Sequence, residues 1–212
     1  MKAPYTLREL NKNELDGLYE CFLPIVREHA KGEEIMRLDE DNDFAGIIVS
    51  GNALLVTTTF DGQRTIIDYF EPGDVFGKHL SPCTQVDPYL VIAKSKCRVM
   101  VVDYKKVIQC CDKGCEKHIK LIDGVLSSVV RKAQLHIEVL GKRSIRARLM
   151  TFFRQISLAR ESRTFRLPMS LSDLADYISA DRSAMMREIK KLNDEKIIVS
   201  RTNRITLLRD NA

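Results

Sequence analysis

The sequence predicts an α+β chain: an N-terminal antiparallel β-sandwich or roll, a long helix, and a C-terminal pair of short helices closed by a hairpin. Three observations predict it. From Ile25 to Asp103 short β-prone runs alternate with turn signals. From about 114 to 140 apolar residues recur at steps of three and four. From Ser170 to Ile198 two short amphipathic stretches are joined by a tight turn, and two strand-like runs follow.

In chain order, residues 7–22 read as a short helix with Leu7, Leu10, Leu15, Leu18 and Phe22 apolar. The strand-like runs are Ile47-Ile48-Val49, Leu54-Leu55-Val56-Thr57, Thr65-Ile66-Ile67-Asp68 and Val99-Met100-Val101-Val102. Their punctuation is Lys31-Gly32, Ser50-Gly51-Asn52, Asp61-Gly62 and Glu71-Pro72-Gly73-Asp74. Many short strands at near-regular spacing imply an antiparallel roll. The long helix carries Ile119, Ile122, Leu126, Val129, Ala133, His136 and Leu140, an a/d seam over three heptads, and Gly141 ends or hinges it. A further helix spans about Ser144 to Ala159, with Ile145, Leu149, Phe152, Phe153 and Ile156 apolar, and Phe165-Arg166-Leu167 reads as a short strand.

The paired short helices are punctuated by chemistry. Ser170 followed by Asp173 is a capping-box-like start, and Asp181 is a good N-cap for the second helix. Leu171, Leu174, Ala175 and Ile178 form one apolar stripe; Met185, Ile189 and Leu192 form the other. The second helix turns Arg182, Ser183, Arg187, Lys190 and Lys191 outward. A capped helix with polar and basic residues near its start, braced by another helix, is what a DNA major groove accepts. Ile197-Ile198-Val199-Ser200 and Arg204-Ile205-Thr206-Leu207-Leu208 then flank Arg201-Thr202-Asn203, a hairpin with a basic tip.

Charge is distributed to match. The chain's 212 residues carry a net +5. Residues 141–212 hold 16 Lys/Arg against 8 Asp/Glu, net +8, and residues 1–140 are net −3. The basic surplus therefore coincides with the two-helix motif, as nucleic-acid binding requires. At 44% hydrophobic the chain can build a core, which excludes global disorder. Met1-Lys2-Ala3-Pro4-Tyr5 lacks the apolar run of a secretory signal, and no segment has the length of a membrane span. A cytoplasmic protein with no membrane partner is expected. Cys21, Cys83, Cys97, Cys110, Cys111 and Cys115 show no paired framework and are expected to be reduced or functional. No Ser/His/Asp arrangement, phosphate loop or credible carboxylate pair points to an enzyme. Asp39, Glu40, Asp41 and Asp43 read as a solvated turn.

The chain resembles the CRP/FNR family of transcription regulators. In the roll the resemblance rests on Ala30 to Ile35, Ile48 to Gly51, Asp61 to Arg64 and above all the run Ile67 to Gly77, IDYFEPGDVFG. Beyond it stand Arg146-Ala147-Arg148-Leu149, Leu174-Ala175-Asp176-Tyr177 and Asp181 to Arg187. The resemblance implies a β-roll sensor of cupin-like jelly-roll form over residues 1–112, a dimerisation helix over 113–141, and a winged helix-turn-helix over 142–212. It places Arg182 and Arg187 at the family's two DNA-facing arginines, with Ser183 where many members carry an acidic residue. Ser170 and Ser172 fall where the first helix meets the phosphate backbone, and Lys190, Lys191 and Arg201 are phosphate candidates. It implies a homodimer on double-stranded DNA whose seam uses Ile119, Ile122, Leu126, Val129, Ala133 and Leu140. Contact with RNA polymerase is implied near Ala159 to Arg166.

The effector is the open question. Nucleotide-binding members hold the ribose with a glutamate and the cyclic phosphate with an arginine beside a serine or threonine. Here Lys78 follows Gly77 in the glutamate's place, and the arginine-serine pair falls on Pro88-Tyr89. Cyclic AMP is therefore not expected, although Lys78 and His79 could together meet an anion. His79 lies near a haem-ligating position of the carbon-monoxide-sensing branch. Cys111, Cys115 and His118, at i, i+4 and i+7, could hold zinc or sense redox state. The sequence leaves these alternatives open.

Overall fold

A computed structural model describes residues 22–39, 42–58, 62, 64–80, 89–108 and 116–208. The predicted helix over 7–22 therefore lies outside the described residues except for Phe22. The chain divides into two compact units, residues 1–130 and 131–212. The division falls inside the long helix, between the boundaries expected at 112 and 141.

Among the described residues the first unit is a roll of eight strands: β1 (Ile25–His29), β2 (Glu34–Leu38), β3 (Phe44–Ser50), β4 (Ala53–Thr58), β5 (Arg64–Phe70), β6 (Val75–Gly77), β7 (Tyr89–Ala93) and β8 (Cys97–Asp103). They form two four-stranded antiparallel sheets, ordered β1-β8-β3-β6 and β2-β7-β4-β5. All four strand-like runs read from the sequence lie inside β3, β4, β5 and β8.

The unbroken apolar run of β8 has a physical cause. Val99 and Val101 enter one buried cluster with Ile48, Leu55, Phe70, Phe76 and Val91. Met100 and Val102, on the opposite face, enter a second with Phe22 and Ala45. A strand covered on both faces needs apolar side chains at every position. In β3, Gly46 lets Phe76 lie against the backbone, since a Cβ there would stand 2.2 Å from the ring. Two helices follow the roll: the short α1 (Tyr104–Ile108) and the long α2 (Glu116–Leu140). Tyr104, Val107 and Val125 pack against the second cluster.

The second unit holds α3 (Ile145–Ala159), β9 (Thr164–Arg166), α4 (Leu171–Tyr177), α5 (Arg182–Asp194), β10 (Ile198–Arg201) and β11 (Arg204–Leu207). β10 and β11 form the expected hairpin, and β9 pairs with β11. Leu149, Phe152, Phe153 and Ile156 of α3 are buried, as are Leu174, Ala175 and Ile178 of the next stripe and Met185, Ile189 and Leu192 of α5. Fully burying an aliphatic or aromatic side chain contributes about 1.5–3 kcal/mol, so this small core is the main source of the unit's stability.

Of the two readings of Gly141, an end or a hinge, the structure shows the end of the helix. The Gly141 N–H donates to Ile137 O at 2.8 Å and ends α2. Immediately beyond, Arg148 Nε donates to Lys142 O at 3.0 Å, and its Nη1 donates to Ile178 O at 3.0 Å and Ser179 O at 2.9 Å. One guanidinium thus ties the turn after α2 to the end of α4. His136 on α2 stacks on Tyr177 with ring centroids 3.9 Å apart, and its Nε2 donates to Tyr177 O at 2.8 Å. Gln155 donates to Leu135 O at 3.1 Å. The last ten residues of α2 are therefore packed into the C-terminal unit.

Candidate nucleic-acid interface

The C-terminal face is built from capped helices. Ser170 is the N-cap of α4: its Oγ accepts from Asp173 N at 3.1 Å and donates to Asp173 Oδ2 at 2.5 Å. Asp181 is the N-cap of α5, accepting from Ala184 N at 2.7 Å. Both starts are those the sequence predicts. Each cap satisfies an amide left unpaired at the first turn and fixes where the helix begins.

With the start of α5 fixed, its faces follow from the 3.6-residue period. Met185, Ile189 and Leu192 point into the core. Arg182, Ser183, Met186, Arg187, Lys190 and Lys191 are exposed. All five polar and basic residues assigned to this face from the sequence are thus on the surface. Met186 was assigned to neither face from the sequence, because it follows the core residue Met185 and is itself apolar. Its position four residues after Arg182 and four before Lys190 was the available signal. Arg201 is exposed at the end of β10, beside the turn at Thr202, whose φ is +53°.

The helix is braced from behind. Arg146 Nη1 donates to Glu195 Oε1 at 3.0 Å and reaches Glu188 at 3.4 Å. The pairing holds the Glu195 carboxyl below its ordinary range, chiefly through the Arg146 hydrogen bond, and pushes the Arg146 guanidinium up. Glu188 also lies 3.9 Å from Lys191 Nζ, so that lysine is less free for an outside anion than Lys190. Ser172 is half-buried, and the Ser170 hydroxyl is committed to its cap.

Among the described residues the effector candidates of the roll do not gather into one site. Lys78 Nζ lies 2.7 Å from Asp43 Oδ1, and His79 Nε2 lies 3.5 Å from the same oxygen. Lys105 Nζ stands 3.6 Å from Asp43 Oδ2. The His79 ring stacks on Tyr104 at 3.9 Å. These neighbours hold the Asp43 carboxyl below its ordinary range, first through the Lys78 hydrogen bond. One expectation is corrected here: Asp43 is not simply a member of a solvated turn, because Lys78, His79 and Lys105 stand around its carboxylate. Tyr89 packs elsewhere, against the interior cluster of the roll. Gly77 is buried at the end of β6. Pro88, Cys111 and Cys115 lie outside the described residues, as do the side chains of His118 and Ile119.

The structure divides the residues read as a seam along α2 between two environments. Ile122 and Leu126, with Val125, line an apolar hollow against Ala45, Ile47, Val102 and Tyr104 of their own unit. Val129 is half-buried and His136 is engaged with Tyr177. The exposed apolar residues are instead Leu126 at 50%, Val130 at 54%, Ile137 at 70% and Leu140 at 36%. With exposed Ala133 they recur at steps of four and three. The sequence carries two adjacent apolar stripes on this helix, and only tertiary packing shows which one the chain itself covers.

Comparison with known proteins agrees with this architecture. A Cyclic nucleotide-binding domain model matches residues 26–113, and a Crp-like helix-turn-helix domain model matches residues 147–212. The chain is 27% identical over 190 residues to the nitrogen fixation regulation protein FixK of Azorhizobium caulinodans, spanning 85% of this chain and 74% of that one. It is 23% identical to the transcriptional activator protein FnrL of Cereibacter sphaeroides, spanning 87% and 76%. Among solved structures, FixK2 from Bradyrhizobium japonicum superposes with a TM-score of 0.71 at 23% identity, covering 88% of this chain and 93% of that one.

Proposed function

Because the chain belongs to the CRP/FNR family of transcription regulators, which are not enzymes, we propose that it acts as a homodimer that reads duplex DNA with α5 under control of its roll. The observation that carries this reading is the outward face of α5. Two arginines, a serine and a lysine stand on one surface of a helix whose start is fixed by a cap and whose back is packed.

In this reading Arg182 and Arg187 donate to base edges, guanine O6 and N7 being the best-matched acceptors, and Ser183 reads an adjacent base. Lys190, Lys191 and Arg201 neutralise phosphates, and the amides at the start of α4, beside Ser170 and Ser172, fix the approach. Two copies paired through Leu126, Val130, Ala133, Ile137 and Leu140 would present two such helices to successive major grooves, about 34 Å apart. The stretch 159–166 is assigned to RNA polymerase on family grounds. Residues 1–112 are assigned to sensing, 113–141 to pairing and 142–212 to DNA. A protein with this target works in the cytoplasm.

The signal is proposed to be something other than cyclic AMP. Lys78 stands where a ribose-holding glutamate would be needed, and Asp43 occupies it. His79 fits haem poorly, because its Nε2 already faces Asp43 and its ring is stacked. Zinc or a thiol switch at Cys111, Cys115 and His118 is the second reading, favoured by their spacing.

The test is a titration of a promoter fragment against a random duplex, with the parent, Arg182→Ala and Arg187→Ala. Each substitution should cost about 1–3 kcal/mol on the specific fragment. Equal affinities for both duplexes in all three proteins would remove α5 from DNA recognition.

A further inference from the structure

We propose that Met186 is a specificity-determining residue that reads the C5 methyl group of a thymine in each half-site. The inference rests on the reading of α5 as the major-groove helix and names a base preference that the arginines cannot supply. Met186 is 40% exposed, although its neighbour Met185 is fully buried. It stands one turn after Arg182, three residues after Ser183 and one turn before Lys190, on the Arg182 flank of the outward face. Among the described residues of that face it is the apolar one; the rest are charged or hydroxylic.

The major groove offers one apolar feature, the thymine methyl. A methionine suits it, because the unbranched thioether can adjust three rotatable bonds to fill an irregular gap. With Arg182 and Arg187 beside it, an apolar side chain here would otherwise face the polar floor of the groove and leave base-edge donors or acceptors desolvated. A thymine opposite Met186 removes that conflict. Ser183, able to donate or accept, adds little discrimination, so Met186 would carry a larger share of the sequence choice in this chain.

The experiment begins with the full-length protein, purified both aerobically and anaerobically, selecting duplexes from a random library. In the selected site each thymine is then replaced singly by deoxyuridine, which removes the methyl and leaves every groove hydrogen-bonding group in place. Burial of about one methyl group predicts an affinity loss of about four-fold per half-site at one symmetry-related thymine. Met186→Ala should bind thymine and uracil there equally, Met186→Leu should retain a penalty, and both should keep their sensitivity to 7-deazaguanine, which reports the arginines. If the parent is indifferent to every thymine-to-uracil exchange, or Met186→Ala keeps the same penalty, the proposal is overturned. If no sequence is enriched under either condition, α5 is not a base reader and both readings fall; retained 7-deazaguanine sensitivity with no methyl effect overturns the role of Met186 alone.

Discussion

The two units of this chain differ in how far their chemistry depends on distant partners. In the C-terminal unit the functional face is a local product. Asp181 fixes the start of α5, the helical period sets Met185, Ile189 and Leu192 inward, and Arg182, Ser183 and Arg187 are outward by arithmetic. In the roll, Asp43, Lys78, His79 and Lys105 come from the start of β3, the end of β6 and α1. Only the folded sheet brings them together. Where function is written in one helix it can be read early; where it is assembled across a sheet it waits for the fold.

Four variants sharpen that contrast, from the largest effect to the smallest. Phe153→Ala empties a fully buried site in the core behind α5. It should destabilise the C-terminal unit by about 3–5 kcal/mol in a denaturant titration, and DNA binding should fall with it. Ile137→Asp places a charge on the most exposed apolar position of α2. It should weaken pairing by at least about ten-fold in sedimentation equilibrium while leaving the far-ultraviolet dichroism unchanged. A variant that pairs like the parent would move the seam to another face. Asp181→Ala removes the side-chain cap of α5 and should cost about 1 kcal/mol of stability, measured by thermal unfolding. Arg182 and Arg187 should remain exposed in it, so the loss should appear in stability before specificity.

The smallest effect is expected at Asp43, through pH. Its folded carboxyl titrates below the ordinary aspartate value of 3.8, because Lys78, then His79 and Lys105, favour the charged form. A depressed carboxyl contributes stability that is fully present above the unfolded value and is lost as pH falls through the folded one. The parent should therefore exceed Asp43→Asn in stability by a small, constant margin at neutral pH, as an exposed ion pair allows. The margin should close below about pH 3.8. A margin that opened on acidification would reverse the sign and exclude the pairing.

The fold was legible in the sequence where pattern and punctuation agree. Strands β3, β4, β5 and β8 were visible because β-prone runs alternate with turns such as Glu71-Pro72-Gly73-Asp74, whose Asp74 N–H donates to Glu71 O at 2.9 Å. The starts of α4 and α5 were visible because Ser170 and Asp181 are capping residues. The seam was legible only in period. Val129 and Val130 are adjacent and alike, and so are the helical neighbours His136 and Ile137 in their periodic fit. Tyr177, forty-one residues away, decides that His136 is engaged. Asp43 was unreadable for the same reason, since its cations come from Lys78 and Lys105. Met186 was hidden by an identical neighbour.

The most direct measurement is a base-contact footprint of the full-length protein on its selected duplex, using guanine N7 methylation interference. Two interfering clusters are expected in successive major grooves, about ten base pairs apart on one face of the helix, each losing a guanine in Arg187→Ala. A single cluster, a uniform pattern along the duplex, or two clusters unchanged in Arg187→Ala would contradict this expectation.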